Sequence, residues 1–384
     1  MDLTQLLAFT MQNKASDLHL SPNNLPVIRV HGSLRRIKAD AILSSDNIRG
    51  MLYSVMTEQQ RADYEKDMEL DFAISFGEKA RFRVNAFTTR NGSAAVFRAI
   101  PSEIPSMQEL DLPPIMKRFA ELERGIILVT GATGSGKSTT LASLINHINT
   151  VMDKHIITIE DPVEFFHQSK KSLINHREIG RDTHSFARAL KSSLREDPDV
   201  ILVGEMRDYE TISLALTAAE TGHLVLATLH ASTAAKAVDR ILDVFPTGDK
   251  PMARTMLAGS LQGVVAQSLL PRAGGQGRVG AFEVLVGTNA VRNLIRENQV
   301  PQIYSMIQTG SRYGMVTLGD YVQSLLEQGV IDAETARSAV MEVTEDTDDR
   351  DGEHTSVALG GGKIAASGGG GKSEGRSEGG GYSF

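Results

Sequence analysis

The sequence predicts an α/β protein, on three observations. Short apolar runs at 125–130, 155–159, 200–203 and 224–228 are separated by stretches of helical length. Runs of this kind suit parallel strands buried on both faces between helices. A glycine-rich loop, 131–138, stands between the first run and a helix-compatible segment, 139–148. Before residue 100, by contrast, polar and apolar positions alternate with period two, as in strands buried on one face.

In chain order, Leu3, Leu6, Leu7, Phe9 and Met11 give an opening amphipathic helix. Strands are expected at Asp17–Leu20, Val27–Val30, Asp71–Ser75 and Arg81–Thr88. Pro101, Pro105, Pro113 and Pro114 mark a boundary. Residues 1–100 therefore read as a first, mixed α/β domain, 101–117 as a linker and 118–343 as a second domain. From about 250 to 342 the pattern reads as helical. Residues 345–353 are an acidic run and 360–381 are largely Gly, Ser, Lys and Glu. The tail, 344–384, carries too little apolar surface to fold and is expected to be disordered.

Composition narrows the function classes. With 41% hydrophobic and 23% charged residues, the chain reads as soluble and globular. A net charge of −7 gives no general attraction to nucleic acid or an anionic membrane, so no nucleic-acid partner is expected. The chain has 0 cysteines, which removes disulfides and thiolate zinc sites. Its first residues have neither a basic stretch nor a continuous apolar one, so no signal peptide is read there. The apolar runs fall far short of the ~20 residues of a membrane span. A cytoplasmic protein with no direct membrane insertion is expected.

The loop Gly131, Ala132, Thr133, Gly134, Ser135, Gly136, Lys137, Ser138 fits the phosphate-binding pattern G-x-x-x-x-G-K-S, with Thr139 following in the helix. Its glycines let backbone N–H groups turn inward at a helix N-terminus, where they can hold phosphate oxygens. Lys137 would reach the β- and γ-phosphates of ATP, and the Ser138 hydroxyl would ligate Mg²⁺. The bland alternative is a glycine-rich turn that binds nothing.

A second run, Asp199 to Glu205, is apolar and ends in an acid. A buried strand of this type sets a carboxylate beside the metal and the attacking water, so Glu205 is the candidate to orient or deprotonate that water. Glu160, Asp161 and Glu164 cluster at the end of another apolar run. Carboxylates there could hold Mg²⁺ through water or position the nucleophile, with Glu160 the candidate ligand. His223 and His230 bracket a strand. Seven strand residues separate them by roughly 23 Å, too far for a shared zinc, so one is read as near the γ-phosphate and one at a subunit contact, with His230 the candidate site residue.

The segments GATGSGKST, ITIEDPVEF, LREDPDVILVGEMRD and TGHLVLATLHAS resemble, in that order, the Walker A, aspartate-box, Walker B and histidine-box motifs of the type II/IV secretion ATPases. SDLHL and RFRVNAF near the amino terminus also resemble that superfamily, so the likeness spans about residues 1–342. Assembly and secretion members usually carry a four-cysteine zinc motif, and this chain has 0 cysteines. The segment 290–297, AVRNLIRE, closely resembles the AIRNLIRE helix of the type IV pilus retraction ATPases, the PilT family.

The resemblance implies a homohexamer in which each subunit pairs a PAS-like amino-terminal domain with a RecA-like core, ATP lying between them. It implies that Arg81 and Arg83, and less closely Arg98, approach the phosphates. It implies ATP-driven pilus retraction and twitching motility, and a site docked at the inner-membrane pilus base. The partners implied are a platform protein of that membrane and a paralogous retraction ATPase. The alternatives are an assembly or secretion ATPase working in the opposite direction, or an accessory subunit that binds nucleotide without turning it over.

Overall fold

Period-two patterning before residue 100 resolves into one antiparallel sheet. A computed structural model describes residues 2–348 apart from 31, 39–41, 78–79, 101–102 and 276, with side chains through 341. Helix α1 (Leu3–Gln12) opens the chain, capped by Asp2 and burying Leu3, Leu6 and Leu7. Strands β1 (Asp17–Leu20), β2 (Val27–Val30) and β3 (Ser33–Arg36) follow, then helices α2 (Ser45–Tyr53) and α3 (Glu58–Asp67). Strands β4 (Glu69–Phe76), β5 (Ala80–Thr89) and β6 (Gly92–Ile100) complete the sheet, whose order is β3-β2-β1-β6-β5-β4. Its core holds Leu6, Leu18, Ile48, Phe82, Val84 and Phe97. All four strands expected from the sequence are present, and β3 and β6 join them.

After α4 (Ile115–Ala120), which begins inside the segment read as a linker, the pattern changes to alternation of strand and helix. The elements are β7 (Gly125–Thr130), α5 (Lys137–Val151), β8 (His155–Glu160), β9 (Leu173–Glu178), α6 (Phe186–Ser193), β10 (Val200–Val203), α7 (Tyr209–Glu220), β11 (Leu224–Leu229), α8 (Ala234–Asp243) and α9 (Lys250–Ser260). The chain continues with β12 (Leu261–Pro271), β13 (Arg278–Val286), α10 (Asn289–Arg296), α11 (Ile303–Thr309), α12 (Leu318–Glu327) and α13 (Ala333–Asp348). The second sheet runs β13-β12-β7-β11-β10-β8-β9, parallel throughout except for the antiparallel β12–β13 pair.

The uninterrupted apolar runs have a direct cause. Ile126 and Leu128 of β7 face one core, with α6, α7, α8 and α9, while Ile127 and Val129 face another, with α4 and α5. Every residue of β7, β10 and β11 is buried.

One expectation needs correction. The stretch from 250 is not helical throughout, because β12 and β13 lie within it. Val264, Val265 and Ala266 are buried, with β7 bonded along one edge of their strand and β13 along the other. An apolar run buried on both faces does not reveal its period. Helix α13 runs to Asp348, and most of the tail for which disorder is expected lies beyond it. Residues 349–384 lie outside the described residues.

Candidate functional site

The loop 131–138 leaves the C-terminal end of β7 and becomes the first turn of α5. Gly131 has φ 145° and Gly136, the N-cap of α5, has φ 90°. Both also lack room: a Cβ at Gly131 would lie 2.2 Å from the Gln267 carbonyl oxygen, and one at Gly136 would lie 2.9 Å from Gln267 Nε2. Ala132, Thr133 and Gly134 form an exposed tip, Ser135 and Lys137 are buried, and Ser138 and Thr139 are half-buried.

Lys137 folds back over the loop. Its Nζ donates to the carbonyls of Gly131 (3.0 Å) and Ala132 (2.9 Å). Burial lowers its pKa, while Glu205 and Glu164 partly support the charge. Ser135 Oγ is buried with no hydrogen-bond partner, the kind of group a bound phosphate would satisfy.

The sheet order sets the acids at graded distances from this loop. One strand, β11, separates β7 from β10, and Glu205 follows β10 directly after Gly204. Its backbone is pinned by β11: Thr228 Oγ1 donates to the Gly204 carbonyl, and the Met206 N–H donates to the Thr228 carbonyl. Glu205 Oε2 accepts from Arg207 at 2.6 Å, and Oε1 lies 3.0 Å from His230 Nε2. Burial works against its charge, yet Arg207, His230 and Lys137 together hold its carboxyl below the ordinary range. His230 follows β11, where Thr130 Oγ1 donates to the Ala231 carbonyl and accepts from its N–H.

Glu160 ends β8, one strand beyond β10, and accepts from the Glu164 N–H at 3.3 Å. Burial raises its pKa to about 7, against opposing bonds from Thr158 and the Glu164 N–H. Glu164 itself is half-buried. One pocket is lined by Ser138, Glu160, Gly204, Thr228 and His167, so two residues proposed for the metal share a cavity. His223 sits at the opposite end of β11, where its Nδ1 lies 2.9 Å from the Ala218 carbonyl at the end of α7.

The arginines of the first sheet divide. Arg81 reaches the second sheet: Nη1 donates to the Val163 carbonyl (3.4 Å) and Nη2 to Glu178 (3.5 Å) at the end of β9. Glu178 Oε2 also accepts from the Val163 N–H. Arg83 pairs across strands with Asp71, although the charges of Glu164 and Asp161 are felt there. Arg98 donates to Asp17 at 2.9 Å and is largely exposed.

Two residues carried no signal in the sequence. Glu178 ends a strand that was not foreseen, and its bond to Arg81 spans 97 positions. Gln267 is a polar residue inside an apolar run; its side chain bonds both Ser135 and Thr140. A strand, a glycine loop with lysine and serine, and a helix N-terminus, with an acid two strands away, are together those of a P-loop ATPase.

Comparison with known proteins narrows that class. The sequence profile of the type II/IV secretion system proteins matches residues 1–337. The type IV pilus retraction ATPase PilT of Pseudomonas aeruginosa is 53% identical over 337 residues, covering 88% of this chain and 97% of that one. The twitching motility protein of Neisseria gonorrhoeae is 58% identical over 312 residues, covering 81% and 83%. A crystal structure of the pilus retraction motor PilT with bound ADP superposes with a TM-score of 0.82 at 44% identity, covering 88% and 97%. The chain belongs to the type II/IV secretion system protein family, as a member of its PilT group.

Proposed function

We propose that the protein is the hexameric, ATP-hydrolysing motor that retracts type IV pili, docked on the cytoplasmic side of the inner-membrane pilus base. The observation that carries this reading is the 53% identity, over 337 residues, to a retraction ATPase. The AVRNLIRE segment at 290–297 and the count of 0 cysteines support retraction over assembly. No described helix is long and apolar enough to cross a membrane, which suits docking through a platform protein.

In this reading the backbone N–H groups of the loop and Lys137 bind the β- and γ-phosphates. Ser138 and Glu160 would hold Mg²⁺. They fit a hard cation, because both offer oxygen and both line one pocket. Bound there, the ion would neutralise charge on the phosphate oxygens. Water attacks the γ-phosphorus in line and the bond to the bridging oxygen breaks, giving ADP and inorganic phosphate.

Glu205 orients that water. A carboxylate held below its ordinary pKa is a weak base, so it acts by accepting the water's hydrogen bond, with His230 and Arg207 fixing its two oxygens. Glu164 stands near Lys137 and tunes the charge beside it. Arg81 and Arg83 add positive charge as the first sheet closes over the nucleotide, and Arg81 must leave Glu178 to do so. Sequential closure around the ring turns the platform protein and draws pilin from the filament.

The test pairs an assay with imaging. Purified protein should hydrolyse Mg·ATP, and Lys137→Ala should not. A deletion strain should keep extended pili that fail to retract, rescued by the wild-type chain and not by Glu205→Gln. Normal retraction without the protein overturns the assignment.

A further inference from the structure

We propose that Gln267 is a positioning residue for the reaction: from β12 it sets the shape of the phosphate loop without touching nucleotide. This rests on the phosphate-binding reading of 131–138.

Gln267 is buried in a strand whose neighbours Val264, Val265 and Ala266 are buried and apolar. A buried amide is costly unless its polar atoms are bonded, so packing alone favours an aliphatic residue here. Both ends of the amide are bonded. Nε2 donates to the Ser135 carbonyl at 2.8 Å, and Oε1 accepts from Thr140 Oγ1 at 2.7 Å, both bonds buried. The first partner lies within the loop and the second in the opening turn of α5.

The bond to Ser135 has a stereochemical consequence. In a trans peptide the carbonyl of one residue and the N–H of the next point in opposite directions. Holding the Ser135 carbonyl against β12 therefore turns the Gly136 N–H away from β12, towards the open side of the loop. The same residue bounds both ends of the turn, since its carbonyl closes on Gly131 and its Nε2 on Gly136. Gln267 thus fixes the direction of a phosphate donor and ties it to the helix whose N-terminus completes the site. An aliphatic residue would fill the space and leave the peptide free to rotate.

Full-length protein titrated with a fluorescent N-methylanthraniloyl-ADP and Mg²⁺ tests this. Gln267→Leu keeps most of the volume and removes both bonds. Gln267→Glu keeps an acceptor for Thr140 and removes the donor to Ser135. Both should weaken binding about tenfold and raise KM for ATP by a similar factor, as expected for loss of a buried bond that orders a binding group. Lowering of kcat should stay within about threefold, while nucleotide-free thermal unfolding falls modestly, as expected for a buried carbonyl left unbonded. Thr140→Val should weaken binding in the wild-type background and add nothing on Gln267→Leu, which separates the brace from a general packing defect. If Gln267→Leu fails to fold, Gln267→Glu and Thr140→Val carry the test.

Unchanged affinity in the Gln267 variants, with Lys137→Ala abolishing binding, overturns this inference alone. So does a fall in kcat that tracks lost thermal stability. Absence of binding by the wild-type chain overturns the phosphate-loop reading as well.

Discussion

The two sheets handle charge in opposite ways. In the antiparallel sheet three strand arginines are met by carboxylates of the same sheet: Arg83 by Asp71, and Arg98 and Arg29 by Asp17. In the parallel part of the second sheet, β7, β10 and β11 are buried from end to end and carry no charged residue. The ionisable groups collect beyond their C-terminal ends, at Lys137, Glu205 and His230. Parallel strands all end on the same side, so one edge gathers the chemistry of several segments. Antiparallel strands give no such edge, and the first sheet can contribute to a site only through a side chain that leaves it. Arg81 does so.

The largest effect should break this contrast at Arg81. If it completes charge neutralisation at the phosphates, Arg81→Ala should lower kcat on the order of 10³-fold or more, measured as phosphate release. An equal loss in Arg98→Ala would erase the distinction between the two arginines.

Within the second sheet, Glu205→Gln should lower kcat by about 10²-fold or more while Mg·ADP binding persists. Wild-type turnover in that variant would remove Glu205 from the reaction.

A smaller effect concerns Glu160. Its folded pKa is raised to about 7 by burial, so the neutral acid is favoured below about that pH in the nucleotide-free chain. A raised folded pKa stabilises below the unfolded value, and that contribution is lost as pH rises through the folded one. The melting temperature of metal-free wild type should therefore fall relative to Glu160→Gln between about pH 5 and 8. A pH-independent difference would show that burial does not govern this carboxyl.

The smallest effect returns to the first sheet. Asp17 is buried, which works against its charge, yet bonds from Arg98 and Ser16 hold its pKa below the ordinary value. Its contribution to stability is present at neutral pH and lost in acid. Arg98→Ala should cost about 1 kcal/mol in urea unfolding near pH 7, with the deficit fading as aspartates protonate. A deficit that persists in acid would assign Arg98 a packing role instead.

The sequence by itself determined the strand–loop–helix of the phosphate site, the buried strands β8, β10 and β11, and the acids and histidine at their ends. A strand buried on both faces must be largely apolar, and a tight loop needs glycine at fixed spacing, so both constraints are written locally. Strand β9 escaped because LINHRE, at the edge of the sheet, is neither a continuous apolar run nor a clean alternation. Only the tertiary structure decided that β12 is a strand, that Gln267 stands beneath the phosphate loop and that Arg81 meets Glu178. Each depends on which distant segment becomes a neighbour. The energy of a hydrogen bond or ion pair rests on that adjacency, which no local window of residues contains.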